Sequence, residues 1–137
     1  MNAPVVLHIN LTDQSSEVRA HEDLAPLIGG MGWALALFEE VLSSDDEEPI
    51  VFAIGPLSGG IPGCSKTVAV FRSPQNGFLA TSLGGGNLAR LLRFSGYQAL
   101  VITGAAKWVN STWAGLLSAF PITLFPLMLI IHFTYGK

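Results

Sequence analysis

From Pro49 to Gly104 the chain reads P-I-V-F-A-I-G-P-L-S-G-G-I-P-G-C-S-K-T-V-A-V-F-R-S-P-Q-N-G-F-L-A-T-S-L-G-G-G-N-L-A-R-L-L-R-F-S-G-Y-Q-A-L-V-I-T-G. Ile50–Ile54 is short and wholly apolar, and Thr67–Arg72 alternates. Both are strand patterns, and Phe78–Ser82 extends them beyond the turn Ser73–Gly77 with its proline and Asn-Gly pair. Asn87–Phe94 reads as a short helix with Leu88, Leu91 and Leu92 on one face and Arg90 and Arg93 off it. Gly96 stops that helix, and Ala99–Thr103 is the next strand. Glycines at 59, 60 and 63, and again at 84, 85 and 86, let the backbone approach a ligand closely and aim N–H groups at an anion. Lys66 and Arg72 lie just behind the first of these turns.

Upstream, Val5–Leu11 has a strand pattern, and Ser16–Ala20 pairs with it across T-D-Q-S. Ile28–Gly32 is a glycine loop opening into a helix over Trp33–Leu42. The run S-S-D-D-E-E after it reads as a solvated linker. Strands, helix, strands, helix and strand joined by tight turns predict an α+β fold. The expectation is a mainly antiparallel sheet with two short helices, followed by a C-terminal hydrophobic helix.

That last element follows from a change of composition. Residues 108–136 contain no Lys, Arg, Asp or Glu, and 113–133 is almost wholly apolar. About 20 apolar residues in a helix span a bilayer core. The chain is therefore divided into 1–107, a folded domain, and 108–137, a hydrophobic tail long enough to contact or cross a membrane through residues 113–133. Pro121 and Pro126 would kink such a helix, which membrane spans tolerate. The N-terminus has no basic stretch before its short apolar run, so a cytoplasmic location is expected, with the tail as a potential anchor.

Composition narrows the function. With 137 residues and a net charge of −3, the chain has no basic excess of the kind nucleic-acid binding demands. A single cysteine, Cys64, leaves no disulfide framework and no self-contained iron–sulfur site.

Gly60–Thr67 is one residue from a phosphate-binding P-loop, with Ser65 where the second glycine belongs. A P-loop leads directly into a helix, whereas T-V-A-V-F-R-S is a strand pattern, so nucleotide hydrolysis is not expected. Cys64 reads as an ordinary loop thiol and His8 as a solvated strand histidine. Arg90 and Arg93 read as the wet face of a short helix, and Tyr97 as a packing residue. Gly84–Gly86 has two readings, a tight strand-to-helix turn or a surface for ligand approach. No residue is assigned a catalytic role.

The ordered set V-L-H-I-N-L-T, L-I-G-G-M-G-W-A, S-K-T-V-A-V-F-R-S-P-x-x-G-F and L-R-F-S-G-Y-Q-A-L-V-I-T-G resembles the N-terminal domain of aldehyde ferredoxin oxidoreductases over roughly residues 4–107. The resemblance implies an α+β platform for a tungstopterin or molybdopterin cofactor whose phosphates are bridged by magnesium. It further implies that Lys66, where many members carry arginine, contacts phosphate as a point charge. Cofactor-binding positions implied are Lys66, Leu83, Gly84, Gly85 and Gly86, with the Leu83 main-chain carbonyl as a magnesium ligand. Leu83 stands where the family often has asparagine, and Met31 where it often has arginine.

The family oxidises aldehydes to carboxylic acids with ferredoxin as acceptor, and its longer chains carry the iron–sulfur cysteines elsewhere. By resemblance this chain is a fragment, a decayed gene product or a subunit needing the remainder of the enzyme or a completing partner, with ferredoxin engaged only indirectly. The alternative from another class is a non-catalytic, membrane-associated protein that keeps the fold without the cofactor.

Overall fold

The computed structural model describes residues 3–44 and 48–105. The expected hydrophobic helix, the span through 113–133 and His132 lie outside the described residues.

Val5–Asn10 (β1) and Ser15–Ala20 (β2) form an antiparallel hairpin. A single 3-10 turn, Glu22–Leu24, leads to the helix Met31–Ser44 (α1). Ile50–Ile54 (β3), Lys66–Arg72 (β4) and Leu79–Gly85 (β5) follow, then the helix Asn87–Phe94 (α2) and Ala99–Thr103 (β6). The six strands make one sheet in the order β2-β1-β6-β3-β4-β5. The architecture is α+β with two helices.

The expectation of a mainly antiparallel sheet is corrected: the sheet is mixed. β1 and β6, neighbours near its middle, run parallel, with His8 opposite Val101, whereas β6 runs antiparallel to β3. Strand periodicity reports which face a side chain takes and nothing about direction. A pair separated by some 90 residues of intervening chain leaves no local turn signal from which direction could be read.

Alternation places Val6, Val51, Ala53, Val68, Val70, Ala99 and Val101 on the face covered by α1, in one buried cluster. From the helix come Trp33, Ala34, Leu37, Phe38 and Val41, a stripe at the helical period. The Trp33 indole N–H donates to the Leu24 carbonyl at 2.9 Å, which ties the 3-10 turn to α1. α2 packs against β3 and β4 outside this cluster and buries Ala89 and Leu92.

Helix α1 begins at Met31, two residues before the expected start, because the turn in front of it is braced. The Gly30 N–H donates to the Ile54 carbonyl at 3.1 Å. Gly29 sits at φ +117°, and a Cβ there would lie 3.2 Å from Pro56 Cδ and 3.3 Å from the Ile54 carbonyl oxygen. Only glycine suits that position.

His8 also departs from its sequence reading. It is half-buried on the α1 side of β1, with its Nε2 3.3 Å from His21 Nε2 and the two ring centroids 5.5 Å apart. Burial, then the positive charge of Arg19 and the His21 ring, push its pKa down from 6.5 to about 4, against a smaller upward pull from Glu17.

Candidate functional site

Lys66 is the first residue of β4, so a strand follows the lysine where a P-loop would require a helix. In the β4–β5 ladder Lys66 pairs with Gly85, Thr67 with Gly84 and Val68 with Leu83. Residues directly opposite in such a pair share a face. A Cβ built at Gly85 would lie 3.8 Å from Lys66 Nζ, so the ammonium extends over the missing side chain. Lys66 is exposed and makes no ion pair among the described residues.

Of the Gly84–Gly86 run, only Gly86 makes the strand-to-helix bend; Leu83, Gly84 and Gly85 are the last three residues of β5. The strand continues because β4 begins at Lys66 and offers ladder partners as far as Gly85. Gly86, at φ +109° and ψ −154°, occupies a backbone region open essentially only to glycine. Cβ atoms at Gly84 and Gly86 would meet nothing within 4 Å, so the backbone there borders open space.

Gly86 is also the N-cap of α2. No side chain caps that helix and its first turn carries no acidic residue. Its leading N–H groups therefore keep their capacity for an outside acceptor, and the helix end carries partial positive charge. Lys66, the bare backbone of Gly84–Gly86 and this helix start are thus brought together. Leu83 is on the same ladder, and the residue is 64% exposed.

The surrounding loop is tied down by side-chain hydrogen bonds to carbonyls distant in the chain. The Ser58 hydroxyl donates to the Lys66 carbonyl at 3.0 Å, and the Ser65 hydroxyl to the Gly86 carbonyl at 2.7 Å. Arg93 is more than a wet-face residue: its guanidinium donates to the Pro56 and Ser58 carbonyls. Arg90 does keep to the surface, over the Phe94 ring at 5.4 Å. No local pattern marks these braces, since each partner lies eight or more residues away and no spacing rule links them.

Met31 opens α1 beside Gly30, and a Cβ at Gly30 would meet Val68 Cγ2 at 3.8 Å. The Gly29–Gly30 loop thus reaches the end of the sheet where Lys66 stands, two residues along the same strand face from Val68.

Residues 6–111 match the family described as aldehyde ferredoxin oxidoreductase, N-terminal domain. The chain belongs to this family. Among its relatives are tungsten-containing aldehyde ferredoxin oxidoreductases of Pyrococcus abyssi, 31% identical over 109 residues, and of Pyrococcus furiosus, also 31% identical. Each alignment covers 74% of this chain and 18% of the relative. The WOR-like subunit of an aliphatic sulfonate oxidoreductase from Pyrococcus furiosus is 30% identical over 112 residues.

Among solved structures, the active-site complex BamBC of benzoyl coenzyme A reductase, bound to 1,5-dienoyl-CoA, superposes with a TM-score of 0.67 at 30% identity. That match covers 80% of this chain and 18% of the other. The chain therefore spans about a fifth of the length of the relatives it matches, as an aldehyde ferredoxin oxidoreductase N-terminal domain.

The donor set of this domain fits a phosphate-bearing organic cofactor. It offers one unpaired ammonium, a Cβ-free strand end and an uncapped helix start. It does not fit an iron–sulfur cluster, because the chain supplies one thiol and such clusters take several. Among the described residues no helix is long and apolar enough to cross a membrane.

Proposed function

We propose that this chain is the cofactor platform of a tungsten- or molybdenum-pterin oxidoreductase, acting as a fragment or subunit completed by further protein. Lys66 holds a pterin phosphate as a point charge. The backbone of Gly84–Gly86 and the N–H groups opening α2 supply the remaining donors, and the Leu83 carbonyl serves the bridging magnesium. Residues 1–107 form the platform and 108–137 a separate hydrophobic tail. Support comes from one observation above the others: Lys66 Nζ lies over Gly85, where any larger residue would put a side chain in the approaching phosphate's path.

When bound, the cofactor supplies the two-electron oxidation of an aldehyde to a carboxylic acid, with water as the oxygen source and ferredoxin taking the electrons. This chain's residues bind and orient: they neutralise phosphate charge and keep side chains off the backbone beneath it. The iron–sulfur relay and the substrate pocket belong to the completing protein.

Co-expression of the full chain with the remainder of a family enzyme, followed by assay of retained pterin fluorescence and tungsten, tests the reading. Wild type retains both, and Lys66→Ala lowers retention about tenfold, the worth of one charge-assisted contact. A complex that assembles but retains neither pterin nor tungsten would overturn it in favour of a cofactor-free scaffold.

A further inference from the structure

A second polar cluster lies away from Lys66, where the β1–β2 hairpin meets α1. His21 follows β2, Asp23 sits in the 3-10 turn and Glu40 lies near the C-terminal end of α1. One ligand-type atom from each comes within 4.8 Å of the other two.

We infer that His21, Asp23 and Glu40 form a binding site for one divalent transition ion of the zinc class, clamping the β1–β2 hairpin to α1.

The decisive group is His21, whose side chain is only 8% exposed. Its Nδ1 faces Glu40 Oε2 at 3.5 Å and Asp23 Oδ1 at 4.0 Å, too far for a well-made hydrogen bond to either. His21 Nδ1 is the buried ligand atom of the three, shared between two exposed carboxylates at ion-pair distance rather than held close by either. The edge of a tetrahedral site with bonds of about 2.0–2.1 Å is about 3.3 Å. Small rotations of Asp23 and Glu40, both exposed, would close the triangle onto an ion, and water from the open side would complete the coordination. The two carboxylates balance the charge of a dication.

The other side of the ring is already arranged for this role. An ion on Nδ1 requires the proton on Nε2, and His21 Nε2 lies 3.3 Å from His8 Nε2. That leaves His8 to accept the proton's hydrogen bond and hold the ring, as the outer partner of a metal-bound histidine commonly does. The ligands stand on rigid supports: the His21 N–H donates to the Pro4 carbonyl at 3.0 Å, and Trp33 locks the 3-10 turn to α1. Charged neighbours from the adjoining strand are Glu17 and Arg19, which pair with each other at 2.6 Å.

The test is a Co2+ titration of the chelator-treated full chain in a Cys64→Ser background, which removes the one thiol. Expected are one equivalent of bound Co2+ with four-coordinate d–d absorption, its displacement by Zn2+, and a rise in the unfolding midpoint with Zn2+. Glu40→Gln and Asp23→Asn, on exposed side chains that leave the fold intact, each weaken binding at least tenfold. His8→Gln weakens it by about tenfold through the outer contact. Co2+ affinity unchanged in Glu40→Gln, or no binding tighter than about 1 mM, would overturn the inference and leave an ordinary buried histidine ion pair. Pterin retention plays no part in these readouts, so the outcome is independent of the Lys66 platform.

Discussion

Lys66 and Gly85 face each other across the β4–β5 ladder, with the lysine ammonium 3.8 Å from where a side chain at 85 would begin. The relationship has two halves, charge and vacancy, and each can be removed separately. Lys66→Ala removes the charge and should lower pterin retention about tenfold while leaving stability unchanged, since the side chain is exposed. Lys66→Arg should retain pterin at least as well as wild type, because a guanidinium grips phosphate with two donors. Gly85→Val keeps the charge but fills the space, and should also lower retention. Fluorescence of the released pterin measures all three, and full retention by Gly85→Val would count against backbone approach at this point.

Gly29, in the loop before α1, is expected to be less replaceable than Gly63. Gly29→Ala combines a positive φ with contacts of 3.2–3.3 Å to Pro56, the Ile54 carbonyl and Trp33. A cost of about 2 kcal/mol is expected from urea unfolding. Gly63→Ala, also at positive φ but with nothing within 4 Å, should cost only about 1 kcal/mol. Equal costs would show that space plays no part at Gly29.

Arg93→Ala should destabilise by about 1–2 kcal/mol, because the Pro56 and Ser58 carbonyls lose their shared donor. Hydrogen exchange should quicken at the Gly59 and Cys64 amides, whose bonds to the Cys64 and Ile61 carbonyls hold the same loop. Unchanged exchange there would make Arg93 a surface residue after all.

Stability of the chelated protein should depend on pH through His8. Its folded pKa is depressed to about 4 from 6.5, so between those values the unfolded chain binds a proton that the folded chain resists. Stability is therefore fully present above about pH 6.5 and declines as pH falls toward 4. The half-exposed ring keeps the effect below its full linkage value. His8→Gln lacks this group, so its urea midpoint should fall less than that of wild type between pH 7 and pH 4.5.

Legibility in the sequence followed the range of the interaction concerned. β3 at Ile50–Ile54, α2 at Asn87–Phe94 and β6 at Ala99–Thr103 have the bounds their patterns predict, because glycines and prolines beside them punctuate the chain. The end of β5 is not legible in the sequence because Leu83-Gly84-Gly85 has turn composition. Those residues are strand only because β4 pairs with them, which no property of the tripeptide reveals. His8 reads as a wet alternating residue until His21, thirteen positions later, is folded against it.

The amino-acid sequence alone determined the succession of helices and strands, the glycine-lined segments and the family, since periodicity, chain breakers and ordered motifs are properties of neighbours along the chain. Folding alone decided that β1 runs parallel to β6, that Lys66 reaches over Gly85, and that His8, His21, Asp23 and Glu40 share one corner. These relationships join residues far apart in the chain. They arise when the apolar faces of the sheet and α1 are buried together, and that burial has no signature at any single position.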